Sequence, residues 1–533
     1  MTARTARRGV LFLSLLGLLA PAVPAGAAPR PVPAAPTLQQ VVPAPVSVTP
    51  DPAVRYRLGP DTVVFTAGGA EAREVGDYLA GLLRPSTRFR LPVFPAPASG
   101  PWVPKTLPGI SLVLGGADAR VGDEGYQLDS TATGVTIRAA KPAGLFNGVQ
   151  TLRQLLPASL SGPLTVAGGH ILDYPRYAYR GAMLDVARHF LPVADVEKYI
   201  DDIALYKVNN LHLHLTDDQG WRLQIDGWPN LTAKGASTGS GGGPGGFYTQ
   251  AQYREIVAYA ESRHVTIVPE IDMPSHFGAA LASYAELNCD GVAGPVYTGL
   301  TPAPRSDLCV GKPVTYRFIR DVLGQVAALT PGGYLDVGGD EIQDLTDEQY
   351  TAFMKKIAPM VAALGKKLFG WGEMLTATPP QGATGEFWIY DGTQNEVGQA
   401  SQQGAKLIMA PCVYTYLDMK YAPGVPASLG LEWAGDISVQ AAYGWDPTAV
   451  VPGASASNID GVEAPLWTDT VRSLDDVRYL AFPRLPAIAE IGWSPQASHD
   501  WTSFSARLAA QGPRWTALGV KYYPAPEIPW PGH

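Results

Sequence analysis

From Tyr179 onward, short apolar runs of strand length alternate with longer stretches whose apolar positions recur at helical spacing. The predicted strands are Arg180–Val186, Asn210–Leu215, Val265–Ile271, Tyr334–Val337, Lys367–Trp371, Glu386–Ile389, Lys406–Ala410 and Gly461–Trp467. Helical patterns fall between many of them, at Asp195–Tyr206, Gln250–Arg263, Tyr316–Leu329 and Asp347–Leu364. Eight strand–helix units predict an α/β chain whose residues 174–533 form a (β/α)8 barrel with a C-terminal helix and tail. Residues 51–173 read as a small α+β domain. Its strands are expected at Thr62–Thr66, Ile110–Leu114 and Gly134–Ala139, and its helices at Ala70–Leu83 and Leu145–Leu156. Residues 29–50 are rich in Pro and Ala and read as a linker.

The first 28 residues read as an export signal. Arg4, Arg7 and Arg8 precede the apolar run Val10–Ala20, and Ala25 and Ala27 form a small-x-small site with cleavage expected after Ala27. The run is too short to span a bilayer comfortably, so the expectation is a secreted protein without a membrane anchor. Arg7-Arg8 permits a twin-arginine route. Only 17% of the 533 residues are charged, below the ~25% of ordinary soluble proteins, and 46% are hydrophobic, enough for a large core. The net charge of −8 argues against nucleic acid or anionic membrane as the main partner. Of three cysteines, Cys289 and Cys309 flank a Gly/Pro-containing loop and are expected to pair in an exported protein, leaving Cys412 as a buried thiol. The glycine-rich stretch Gly239–Gly246 lacks the Lys-Ser/Thr of a phosphate loop.

In a barrel of this kind the chemistry gathers at the C-terminal ends of the strands. Those ends carry, in order, Asp185 with Arg188 and His189, Asp217-Asp218 with Trp221, Glu270 and Asp272 with His276, then Asp340-Glu341. Trp371 with Glu373, Trp388 with Asp391, Tyr416 with Asp418, and Trp467 with Asp469 follow. Carboxylates accept hydrogen bonds from hydroxyls, and indole faces pack against the C–H face of a sugar ring, so the ring suits a carbohydrate. In Asp336-Val337-Gly338-Gly339-Asp340-Glu341 the two adjacent carboxylates follow a strand. Extended neighbours point in different directions, which suggests one acid with an orienting partner.

The segments Leu211–Arg222 (LHLHLTDDQGWR), Val268–His276 (VPEIDMPSH) and Gly338–Glu341 (GGDE) resemble glycoside hydrolase family 20, the β-N-acetylhexosaminidases, over roughly Tyr174 to Trp493. The first unit resembles the small domain preceding the barrel in that family. The resemblance implies a retaining, substrate-assisted reaction in which the 2-acetamido oxygen attacks the anomeric carbon, an exception to the two-carboxylate scheme. It implies Glu341 as acid and then base, Asp340 on the acetamido N–H, and Tyr416 on the acetamido oxygen. Trp371, Trp388 and Trp467 would wall the pocket, and Trp433 would join the substrate contacts. Arg188, Asp418 and Asp469 would bind hydroxyls. Asp217 and His276 would flank the acid, with Asp272 orienting His276. A neighbouring carboxylate and partial burial would push the acid's pKa up. Asp469 stands where the family usually carries Glu. The expected partner is an oligosaccharide, with chitooligosaccharides foremost, and no cofactor or metal is called for.

Three other readings compete. A metal-dependent hydrolase could use the His212-x-His214 pair, but no His falls between His276 and His499 to supply ligands from later strands. A glycan-binding barrel without catalysis is disfavoured because Asp340, Glu341 and Tyr416 are all present. A related enzyme of different specificity, such as a lacto-N-biosidase, would keep the chemistry and change the pocket walls.

Overall fold

The structure, a computed structural model, describes residues 36–96, 108–160, 163–300, 303, 306–377 and 382–531. The expected export signal lies outside the described residues.

The first unit is built on a seven-stranded mixed sheet. Its order is Ser47–Leu58, Leu164–Asp173, Tyr126–Ser130, Gly134–Ala139, Gly109–Leu114, Val64–Ala67 and Val93–Pro95. Helices Gly69–Thr87 and Pro142–Leu155 pack against each other and against the sheet. Four of these strands were not anticipated. Ser47–Leu58 escapes notice because it carries two prolines and is mostly exposed, which an edge strand tolerates.

The linker expectation fails over residues 36–50. Leu38, Val41 and Val42 are buried, and Ser47 already begins a strand. The backbone here is anchored by distant side chains. Val42 N–H donates to Gln154 Oε1 (2.9 Å), Ala44 N–H to Glu490 Oε2 (2.9 Å) and Val46 N–H to Asp173 Oδ1 (3.2 Å). Prolines here stiffen an ordered segment instead of marking a free one.

Eight parallel strands then close a barrel: Tyr179–Asp185, Asn210–His214, Thr266–Glu270, Tyr334–Asp336, Lys367–Trp371, Thr384–Phe387, Lys406–Met409 and Ile459–Ala464. Closure is by the last strand on the first, with Gly461 opposite Tyr179 and Ala464 opposite Ala182. The expected strands run one to three residues too far at most C-terminal ends, because those residues leave the ladder to enter the mouth. Trp388 and Trp467 both lie just past their strands. Helices Val193–Ala204, Gln250–Glu261, Pro313–Leu329 and Asp347–Ala363 cover the outside, the second and fourth of them opened by capping boxes at Thr249 and Thr346.

The barrel interior is stacked in layers drawn from alternate strands. Tyr179, Val268, Phe369 and Ile408, from strands one, three, five and seven, form an apolar cluster. His212, Asp336, Glu386 and Glu463, from strands two, four, six and eight, are wholly polar and 0–1% exposed. His212 occupies the middle of this set, its nitrogens 2.8 Å from Glu463, 3.4 Å from Asp336 and 3.8 Å from Glu386.

A second buried charge cluster joins the small domain to the barrel. Lys207 Nζ lies 3.1 Å from Asp173 Oδ2, and both side chains are fully buried. Asp173 also accepts from Tyr126 Oη (2.7 Å) and Trp493 Nε1 (2.8 Å). Lys207→Met would leave that carboxylate without its cation, at a cost of about 3–5 kcal/mol. The variant should unfold at clearly lower urea, and the added change Asp173→Asn should restore part of the loss. An unchanged midpoint for Lys207→Met would contradict this account.

Candidate active site

The loop after the fourth barrel strand sets the geometry. Asp336 Oδ1 accepts Gly338 N–H (2.8 Å), Asp272 Oδ1 accepts Gly339 N–H (3.1 Å), and Tyr350 Oη donates to Gly339 O (2.7 Å). Gly338 (φ 63°) and Gly339 (φ 97°) are left-handed, and a Cβ at Gly338 would overlap the Asp272 carboxylate. Glu341 is left-handed too, at φ 49°, a conformation that costs a non-glycine residue on the order of 1–3 kcal/mol. The expectation of extended backbone here is therefore wrong. The two carboxylates diverge because the chain turns sharply. Asp340 is 7% exposed, whereas the Glu341 side chain, at the rim, is 42% exposed.

His276, also left-handed (φ 55°), stands between the carboxylates. Its Nε2 is 3.4 Å from Glu341 Oε2 and 3.9 Å from Asp340 Oδ2, and its Nδ1 is 3.4 Å from Asp217 Oδ2. Asp217, not Asp272, thus faces the far nitrogen of the imidazole. Asp272 instead fixes the Gly339 backbone. Asp217 is itself held by Arg188 Nη2 (2.7 Å) and His214 Nε2 (2.9 Å). Arg188 is set by Asp185, whose Oδ1 accepts the Ala187 and Arg188 amides (2.8 and 3.0 Å) while Oδ2 accepts that of Thr468 (3.0 Å). The carboxylate at the end of the first strand so clamps the loop after the eighth.

Aromatic rings line the same cavity as these groups. Trp388 stacks near Tyr416 (centroids 6.2 Å, 11° apart), Trp433 meets Tyr416 edge-on at 5.8 Å, and Trp467 lies 6.4 Å from Tyr416. Trp388 is fixed by its N–H to Glu373 Oε2 (3.0 Å), and the Arg188 guanidinium sits over Trp467 at 4.9 Å. Together with Arg188, Asp217, His276, Asp340, Glu341, Asp418 and Asp469, these rings enclose a cavity of about 440 Å³. Trp371 is not in its lining. It backs the wall, 1% exposed and 5.7 Å from Trp467, with Nε1 bonded to Glu270 Oε1 (3.0 Å). Of the other strand-end residues outside the lining, two make no contact with it that supports the wall. Trp221 packs on Phe277 and Phe318, and Asp391 bonds Thr393 in an exposed turn. Gln219, Leu300, Ile389 and Leu431 also line the cavity. Gln219 stood within a recognised segment, whereas the three apolar residues carried no signal in the sequence.

Comparison with known proteins accords with this geometry. The profile described as glycosyl hydrolase family 20, catalytic domain, matches residues 177–496, and that of the family's domain 2 matches residues 38–174. The chain belongs to glycosyl hydrolase family 20. It is 38% identical over 493 residues to a β-N-acetylhexosaminidase of Cellulomonas fimi, covering 92% of this chain and 97% of that one. Among solved structures, the family 20 β-N-acetylhexosaminidase of Streptomyces coelicolor A3(2) is 53% identical with a TM-score of 0.88, covering 93% of this chain and 99% of that one. A mutant Streptomyces plicatus β-hexosaminidase, solved with its product GlcNAc, is likewise 53% identical with a TM-score of 0.88, over 95% of this chain and 99% of that one.

Cys289 and Cys309 are joined in a disulfide, and Cys412 is a buried thiol. Among the described residues, His212 with Glu386 and Glu463, or with Glu270 and Asp336, brings possible metal-ligand atoms within 4.8 Å of one another. Both ring nitrogens of His212 already meet carboxylates, at 2.8 and 3.0 Å.

The electrostatics of this family 20 site reverse one expectation. Burial alone would lower His276, but Asp217 and Asp340 raise it well above an ordinary imidazole. His276, its Nε2 3.4 Å away, in turn holds Glu341 below the usual glutamate range, against the opposing effect of burial. The upward shift falls on Asp340, which burial pushes to about 6 despite His276. The sequence shows the neighbouring carboxylate but not the imidazolium between the two. His276→Asn removes that cation, and Asn accepts the left-handed backbone. Glu341 and Asp340 would then both keep their protons to higher pH. Both limbs of the kcat/KM profile for glycoside hydrolysis should move upward; a downward or absent shift contradicts the arrangement.

Proposed function

We propose that the chain removes single N-acetylhexosamine residues from the non-reducing ends of glycans, chitooligosaccharides foremost, with retention and without an enzyme nucleophile. The observation that carries this reading is a buried acceptor with nothing to accept from. Asp340 Oδ1 lies in the cavity wall, shielded from solvent and without a hydrogen-bond partner. Leaving such an atom unsatisfied costs roughly 1–3 kcal/mol. An acetamido N–H would satisfy it and fix the acetamido group beneath the anomeric carbon. Asp418 Oδ2 and Arg188 Nε are buried and unpartnered in the same wall, which suits them to sugar hydroxyls. Asp469 lies beside both, near enough to raise the Asp418 carboxyl, which burial first pushes toward about 8.

In the proposed reaction the acetamido oxygen bonds to C1 as the glycosidic C1–O bond breaks. The leaving oxygen takes that electron pair and the Glu341 proton. Asp340 stabilises the N–H of the oxazolinium ion, and Tyr416 donates to the acetamido oxygen. Water then attacks C1, Glu341 takes its proton, and the C1–O bond to the acetamido oxygen opens to restore the amide. Two displacements at one carbon retain configuration. Trp388 and Trp467 bound the ring, so a terminal sugar fits better than an internal one. Trp433 (53% exposed) and Leu300 (58% exposed) stand at the mouth, where the next sugar would emerge. We place this activity outside the cell, in line with the signal-like residues 1–28 and a disulfide suited to an oxidising compartment.

Glu341→Gln should cut kcat/KM on a disaccharide of N-acetylglucosamine by about 10²–10⁴-fold. The loss should be far smaller on a nitrophenyl glycoside, whose leaving group needs little protonation. Equal losses on both would remove the acid assignment. A plain nitrophenyl β-glucoside, lacking the 2-acetamido group, should not be turned over; rapid hydrolysis would show that the nucleophile does not come with the substrate.

A further inference from the structure

We propose that Glu270 is a positioning residue for proton transfer at Glu341, acting through His214 and Asp217. The inference rests on the reading of Glu341 as the acid. Glu270 ends the third barrel strand and is fully buried, one level above the polar layer around His212. Its oxygens are divided between two tasks. Oε1 accepts the Trp371 indole N–H (3.0 Å), and Oε2 meets both His212 Nε2 (3.0 Å) and His214 Nδ1. His214 carries the contact onward, its Nε2 lying 2.9 Å from Asp217 Oδ2. That same oxygen is 3.4 Å from His276 Nδ1, and His276 Nε2 is 3.4 Å from Glu341 Oε2. A series of alternating carboxylates and imidazoles therefore runs from the barrel centre toward Glu341, hydrogen-bonded as far as Asp217 and spaced at 3.4 Å on either side of His276.

The alternation has a chemical consequence. A neutral imidazole donates from one nitrogen only, so His214 can donate to Glu270 and Asp217 together only when doubly protonated. Burial would strip that proton, but the Glu270 carboxylate and Asp217 hold the His214 pKa at about 9. Without Glu270, His214 would face Arg188 Nη1 at 3.3 Å with no carboxylate bonded to its Nδ1. Asp217 would then face a neutral imidazole in place of a cation, with the His214 proton no longer pinned to Nε2 by a carboxylate on Nδ1, and His276 would lose part of what aligns it toward Glu341.

The test compares wild type, Glu270→Gln, His214→Gln and each of these combined with Asp217→Asn. Both single variants should lose about 10²-fold in kcat/KM on the N-acetylglucosamine disaccharide, and much less on the nitrophenyl glycoside. In each double variant the loss should fall well short of the product of the two single losses, because both changes break one line. His214→Gln leaves the Glu270–Trp371 contact in place, so its loss belongs to the proton-transfer branch and not to the pocket wall. It also decides the matter if Glu270→Gln does not fold. Equal losses on the two substrates, full multiplicativity with Asp217→Asn, or wild-type behaviour of His214→Gln would overturn the proposal. Glu341→Gln serves as the control. If it shows no leaving-group dependence, the acid assignment itself fails; if it does and His214→Gln does not, only this inference fails.

Discussion

A carboxylate taken out of water must be paired, hydrogen-bonded or protonated, and this barrel buries a column of them. Glu463, Glu270 and Asp217 are separated by His212 and His214, and His276 separates Asp217 from Asp340 and Glu341. Each imidazole is drawn up in pKa by the carboxylates on either side, and Glu270 and Asp217 are held well down in return. Asp336 and Glu386, at the edge of the series, are pushed well up by burial and by neighbouring anions. The barrel thus keeps its charge where a cation can meet it and sheds it elsewhere. The position of Asp340 and Glu341 follows from that balance, because the same imidazole that ends the column lies against both carboxylates.

Much of this was written in the chain in readable form. Leu211-His212-Leu213-His214 alternates as a strand must, with its polar members on the barrel's inner side. Asp336, Glu386 and Glu463 occupy the equivalent inward positions of strands four, six and eight, so the polar layer is a periodic feature. The strand-end residues were legible because barrels place their chemistry there. What escaped was whatever depends on contacts between distant segments. Residues 36–50 look like a linker until Gln154, Asp173 and Glu490 supply their hydrogen bonds. Gly338-Gly339 signals a break, but only the Asp272 carboxylate behind it explains why the break must be left-handed. Trp371 reads as a pocket wall by position, yet Glu270 draws its N–H down into the barrel and leaves Trp388 and Trp467 in front.

The disulfide-closed loop shows how support reaches the site from outside the barrel. Between Cys289 and Cys309, Asp307 accepts the amides of Gln343 and Asp344 (3.2 and 2.8 Å), just beyond Asp340 and Glu341. The Ala303 amide donates to Asp218 Oδ2 (2.8 Å), and Ser275 Oγ donates to Glu341 O (3.3 Å). A rim-exposed acid on left-handed backbone gains little from core packing. Its backbone is instead held from two sides, by Ser275 in the loop after the third strand and by Asp307 in the disulfide-closed loop, which is how a strained conformation persists at a site.

The protonation pattern of the free site completes the picture. Asp340 is raised to about 6 and Glu341 is lowered, so the empty site favours the proton on the residue that the proposed reaction needs ionised. In the proposed reaction a bound sugar would act on both members in opposite senses. Its acetamido N–H would give the Asp340 carboxylate the hydrogen bond it lacks and favour its ionised form, and an aglycone over the half-exposed Glu341 would remove water from that carboxyl and favour its protonated form.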